Sequence, residues 1–221
     1  MDTKCGILGQ TGLQFFGRIT ASISHEIKNV LAVLNENAGL LQDVVLMAEK
    51  GIPLNPERLK GVAGTMGKQI QRADGIVENM NRFAHAVDEN TKEIDIHETL
   101  SLLLGLTRRF ADMRGVTLSP AYGNSGKFLT SNPFFLENLL WCFLDFAMGA
   151  TGEERELTIA TEENEHAIRI CFEGLKGLAE KDAGAFPSER ESALMKALDA
   201  DFTMEPVRSR IVVALPKKGF R

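Results

Sequence analysis

The chain has three cysteines among 221 residues, Cys5, Cys142 and Cys171, odd in number and far apart. That gives no support to a disulfide framework, and no CxxC pair is present to suggest a metal site. Cys142 and Cys171 sit in apolar surroundings, as buried free thiols of a reducing compartment do. A basic excess is also missing: the net charge is -5 and the pI about 5.5, which argues against a general nucleic-acid binder. No apolar run approaches the ~20 residues of a bilayer span. The greasiest stretch, 134–150, is interrupted by Glu137, Asn138 and Asp145. No basic segment followed by an apolar one opens the chain, so no signal peptide is expected. Internal repeats, low-complexity tracts, GxGxxG and Walker A patterns are all missing. No two of the histidines (His25, His85, His97, His166) are spaced as HxxxH, so no metal is expected. These absences predict a cytoplasmic protein with no membrane span and no nucleic-acid partner.

What is present is an ordinary globular composition, 44% hydrophobic and 25% charged, in a length that suits one large or two small domains. The first part, 1–90, has helical periods. Apolar residues recur every three or four positions from 13 to 48, with a stripe of Ile23, Ile27, Val30, Leu34, Ala38, Leu41 and Val45. A turn cluster at 51–56 follows, in which Asn55 is a plausible N-cap and Pro56 a good first helical residue. The next stripe is Leu59, Val62, Met66, Ile70, Ala73, Val77, Met80 and Ala84. Two long antiparallel helices with narrow apolar seams leave surface uncovered. A homodimer whose hairpins form a four-helix bundle covers it, and docking of the hairpin on the chain's own second half is the other solution.

The second part, 91–221, is mixed. Asp95 and Glu98 are placed to open a helix as a capping box, and Gly115 is placed to end it. A short strand is predicted over 116–118 and a helix from Asn132-Pro133 to about Ala150. A strand hairpin is predicted over 156–161 and 167–172, a short helix over 188–199, and closing strands over 202–205 and 209–215. The fold class expected is therefore α+β: a long helical hairpin followed by a small α/β sandwich, its helices on one face of the sheet. Lys217, Lys218 and Arg221 read as a solvated basic tail.

One histidine stands out. In Ser24-His25-Glu26-Ile27-Lys28-Asn29, a rotation of about 100° per residue puts His25 on the side away from Ile23 and Ile27. A carboxylate adjoins it, Lys28 lies three residues on, and Asn29 is one turn on along the same face. Histidine titrates just below neutrality, so a neutral ring nitrogen able to attack phosphorus is available near pH 7.

This hexapeptide resembles the H-box of bacterial sensor histidine kinases. The resemblance extends over most of the chain. Residues 93–100 resemble the stretch joining the dimerisation hairpin to the ATPase-like domain. Arg114-Gly115-Val116-Thr117-Leu118 resembles its continuation into the first long strand, and 211–216 the closing strand. The resemblance implies His25 as phosphoacceptor and Glu26 as the group that orients the ring or accepts its proton. It implies Asn29 as a holder of attacking water, while Lys28 could offset phosphate charge.

The ATP site departs from that pattern. Asp145 stands where the family has the asparagine that binds the nucleotide's magnesium, and Phe146 where it has a small residue. Against the adenine-binding Asp-x-Gly-x-Gly stands Glu173-Gly174-Leu175-Lys176-Gly177, in which only Gly177 fits the glycine pattern, and the second glycine-rich segment has no counterpart near Ser188. Val30 replaces the proline that usually follows the H-box. The expectation is a histidine phosphotransfer protein that binds no cofactor of its own and exchanges phosphate with the receiver domain of a response regulator. That receiver would supply Mg²⁺. The alternatives are a pseudokinase adaptor that modulates a receiver or kinase, and an active kinase with an atypical ATP site.

Overall fold

The computed structural model describes residues 3–123, 125–178 and 186–217, with side chains from Gly6 onward. The side chain of Cys5, and Lys218 and Arg221 of the basic tail, lie outside them. Two long helices come first. Helix α1 covers Thr3–Glu49, 47 residues, and so begins earlier than its apolar spacing predicts. The chain turns through Gly51, at φ +82, a conformation in which a Cβ would be strained. Helix α2 covers Pro56–Ala84, and the Asn55 side chain accepts hydrogen bonds from the backbone N–H groups of Glu57 and Arg58 (3.0 and 3.3 Å).

The seam between α1 and α2 has a strict seven-residue repeat. Ile23, Val30, Asn37 and Val44 are all buried along it, the signature of a left-handed coiled pair. The predicted stripe drifts off this line: Val45 is 56% exposed and its neighbour Val44 is buried. The same happens on α2, where Val62 is buried while Ile70 and Val77 are 51% and 41% exposed. Asn37, the one polar member of the repeat, donates its Nδ2 to Val33 O at 2.8 Å. By length and composition α1 also contains a segment, within Gly6–Glu49, apolar enough to cross a membrane. The expectation that the chain holds no such stretch is therefore corrected. Averaging around the whole helix adds the second, off-seam apolar stripe to the first.

After a single 3₁₀ turn at His85–Val87 come β1 (Lys92–Asp95), α3 (Ile96–Arg114), β2 (Thr117–Ala121), β3 (Phe128–Ser131) and α4 (Pro133–Met148). Then follow β4 (Glu156–Glu163), β5 (Ala167–Glu173), α5 (Glu189–Ala197), β6 (Asp201–Glu205) and β7 (Arg210–Pro216). The main sheet has the order β2-β4-β5-β7-β6, antiparallel except for the parallel pair β2/β4. Cross-strand neighbours Ile159 and Phe172, and Ile170 and Val213, are buried, the alternation expected of a sheet with one face against helices. The α+β class with a long helical hairpin is the observed architecture.

Two local readings change. Strands β1 and β3 form a separate antiparallel pair (Ile94 opposite Leu129) that the sequence did not suggest, because each is only four residues long. The Asp95 cap forms, accepting from His97 N at 2.8 Å, but Glu98 turns to Arg82 (3.7 Å) and not back to the cap. The reciprocal capping box belongs instead to Ser188 and Glu191 at the start of α5. Gly115 does end α3, at φ +64.

The base of the hairpin shares its core with the sheet half. Phe15 of α1 meets Phe83 of α2 edge-on at 5.3 Å and Phe134 of α4 at 5.7 Å between ring centres. A Cβ at Gly12 would come within 3.0 Å of the Phe134 ring, so that close approach favours glycine. Docking on the second half and an uncovered outer face therefore coexist in one chain.

Candidate functional site

His25 is exposed on α1, and so are Lys28 and Asn29. Among the described residues none of the three side chains makes a hydrogen bond or ion pair. Glu26 is placed differently. One residue after His25 it turns into the groove between the helices, its side chain 13% exposed, and its Oε2 lies 3.6 Å from Nη2 of Arg72 on α2. The structure thus puts His25, Lys28 and Asn29 on solvent-facing rungs and engages Glu26 across the hairpin. Arg72 was not found from sequence. A heptad register for the hairpin, carried from Ile23 to its partners on α2, was the signal that would have found it.

The apolar side chains left exposed have their own geometry. Taking the seam as reference, Leu31 and Val45 of α1 and Ile70 and Val77 of α2 are rotated from it in the same chain-direction sense. In an antiparallel pair of right-handed helices equal rotations lead to the same face. His25 is rotated from the seam in the opposite sense. The outer apolar face and the histidine therefore occupy different sides of the hairpin.

Asp145 and Phe146, which the resemblance sets in a nucleotide site, line a crevice of about 420 Å³ with Gly149, Phe186 and Arg190. Arg114, at the end of α3, bonds Asp145 twice: Nη2 to Oδ1 at 2.6 Å and Nη1 to its backbone oxygen at 3.0 Å. Arg18 of α1 stands 3.9 Å from the other carboxylate oxygen. Phe146 stacks on Phe186, ring centres 4.1 Å apart, and Phe143 meets Phe186 edge-on at 5.1 Å. Burial pushes the Cys142 thiol in this wall up to about 12, which makes it a poor nucleophile. Burial works against the charge of Glu191, but hydrogen bonds from Ser188 and Arg190 hold its carboxyl below the usual range.

Glu173, which the resemblance sets against an adenine-binding carboxylate, is also ion-paired. Its Oε1 lies 3.5 Å from Arg210, which bonds Glu205 (2.9 Å) and Glu162 (3.1 Å) as well. Gly174 adopts φ +89, and a Cβ there would fall 2.6 Å from the backbone oxygen of Glu156. Gly177 donates to Ala150 O at 2.9 Å. Both glycines have structural work in the turn after β5. Among the described residues no group of three or more His, Cys, Asp or Glu is arranged to hold a metal ion.

No family model matches the chain, and no curated protein sequence matches it. Solved structures do. It is similar to the Acinetobacter baumannii histidine kinase AdeS, at 15% identity and a TM-score of 0.49, over 84% of this chain and 98% of that one. It is similar to the catalytic domain of histidine kinase ThkA, at 15% identity and a TM-score of 0.49, over 58% of this chain and 98% of that one. It is also similar to ThkA in complex with response regulator protein TrrA, at 16% identity and a TM-score of 0.46, over 93% of this chain and 63% of that one.

Proposed function

We propose that the chain is a histidine phosphotransfer protein of two-component signalling, in which His25 exchanges phosphate with receiver aspartates. One juxtaposition carries the reading. A solvent-facing histidine with no side-chain partner among the described residues sits on a rigid helical rung, while Asp145 of the crevice and Glu173 of β5 are spent on Arg114 and Arg210. Phosphoryl transfer needs mostly positioning and charge stabilisation, and a receiver brings its own Mg²⁺ and acidic pocket. His25 would supply a ring nitrogen, Lys28 charge beside the phosphate, and Asn29 a hydrogen bond on the same face. The crevice does not suit magnesium and nucleotide: Asp145 is neutralised by Arg114, and Phe146 and Phe186 fill the wall.

The dimer belongs to the same proposal. Leu31, Val45, Ile70 and Val77 share a face that a second hairpin would cover as a four-helix bundle, leaving both histidines outward. A partner response regulator would then dock beside His25.

Incubation with a phosphorylated receiver tests the reading. Acid-labile label should move to the wild-type chain and not to His25→Ala. Label that never reaches the wild type, or reaches His25→Ala equally, overturns it. The pairing of Glu26 with Arg72 favours a second reading, an adaptor that binds a receiver without transfer. Complex formation that persists in His25→Ala with no phosphate movement would select it. Tight Mg²⁺-ATP binding with labelling of His25 would overturn both readings.

A further inference from the structure

The junction between the hairpin and the sheet half encloses a cleft of about 440 Å³ that the reading above does not use. Ala86, Ile94, Leu102 and Pro133 give it apolar walls. Glu137 reaches it from α4. This residue is 5% exposed, and among the described residues its Oε2 has no hydrogen-bond partner. A buried polar atom left in that state costs roughly 1–3 kcal/mol, which a ligand atom would recover. Two cations face the same cleft: Arg82 of α2, loosely held by Glu98 at 3.7 Å, and Lys92 of β1. The Lys92 amine makes no ion pair among the described residues.

We propose that this cleft binds a small oxyanion, a carboxylate or a phosphate, gripped by Lys92 and Arg82 and taking a hydrogen bond from the Glu137 carboxyl. Burial pushes that carboxyl up to about 8, and Lys92 and then Arg82 pull it back only in part. At neutral pH it therefore carries its proton and can donate. A cationic ligand is disfavoured because the charges that act on Glu137 are themselves positive.

The remaining charged groups set the limits on the ligand. Glu78 of α2 and Glu93 of β1 stand around the cleft, Glu98 of α3 is paired with Arg82, and Asp95 is used as the α3 cap. His85 is turned to Asp88 at 2.7 Å. These acids weigh against a multiply charged anion such as a nucleotide. Because α2, β1, α3 and α4 all contribute, an occupant would tie the hairpin to the sheet half.

Calorimetric titration of the full chain with acetate, succinate and inorganic phosphate tests the site. Saturable binding of one ligand per chain is expected. Its affinity should fall about tenfold between about pH 7 and about pH 9 as Glu137 ionises. Glu137→Gln keeps an N–H donor without a charge and should bind alike at both. Lys92→Met, at the exposed rim, should weaken binding about tenfold and keeps the test open if Glu137→Gln fails to fold. Acetate or succinate without phosphate assigns a carboxylate ligand, and phosphate as well assigns a compact oxyanion in general. Absence of saturable binding by all three overturns the proposal. Binding that neither variant changes marks an adventitious ion only, and overturns it too.

Discussion

Arg72 reaches across the hairpin to within 3.6 Å of Glu26, the residue directly after the exposed His25. A carboxylate that faces the groove is tied to a second helix and so depends on the pairing of α1 with α2. A double-mutant cycle with Glu26→Gln and Arg72→Gln should give a coupling energy of about 0.5–1 kcal/mol, typical of a partly exposed ion pair. Chemical denaturation of the four proteins measures it. No coupling would mean that the two side chains do not hold each other in solution.

Glu137 should make the fold pH-dependent in an unusual direction. Its folded pKa of about 8 lies above the ordinary 4.5, so between those values the folded chain keeps a proton that the unfolded chain has lost. Stability contributed by the protonated form is complete below 4.5 and is lost as pH rises toward 8. The slope is at most roughly 1.4 kcal/mol per pH unit. Thermal unfolding across that window should show Tm falling in the wild type and a flatter profile in Glu137→Gln.

Opening the aromatic wall should not create an ATP site. Phe186→Ala removes a ring stacked on Phe146, 4.1 Å away, and should cost roughly 2–3 kcal/mol, less than a fully buried phenylalanine. Asp145 would still be neutralised by Arg114. Titration of Phe186→Ala with Mg²⁺-ATP should therefore show no gain in binding over the wild type, whereas a marked gain would show the ring to be the sole obstruction.

Gly174→Ala should destabilise by more than about 2 kcal/mol. The residue holds φ +89, and a Cβ there would sit 2.6 Å from a backbone oxygen that cannot yield. Gly75→Ala, in the middle of α2 with nothing within 4 Å, is the control and should stabilise slightly. Equal Tm shifts for the two would contradict the turn geometry.

Sequence periodicity carried much of this architecture. The helical hairpin, the Asn55 cap, the Gly115 stop and the β4/β5 hairpin all follow from local chemistry: side chains that bond nearby backbone, a residue that tolerates positive φ, and alternation of period two. The pieces that escaped depend on distant partners. Strand β1 pairs with β3 some thirty-five residues away, and no four-residue stretch announces such a partner. Glu26, Asp145 and Glu173 are legible as candidate carboxylates, but only the fold brings Arg72, Arg114 and Arg210 to them. The stripe that slid from Val44 to Val45 has a different cause. A helix with apolar residues on two adjacent faces offers both, and tertiary pairing decides which becomes the seam.

Helix α1 continues without a break from the aromatic junction at Phe15, past His25, to the hairpin tip at Glu49. Its 47 residues make a rod about 70 Å long. A rod of that kind transmits torque. A partner that twists or tilts the outer hairpin would turn Phe15 against Phe134 at the other end, and strain at the junction would in turn rotate the rung that carries His25. The histidine sits on a drive shaft, so the two ends of the molecule are mechanically linked through the helix that carries His25.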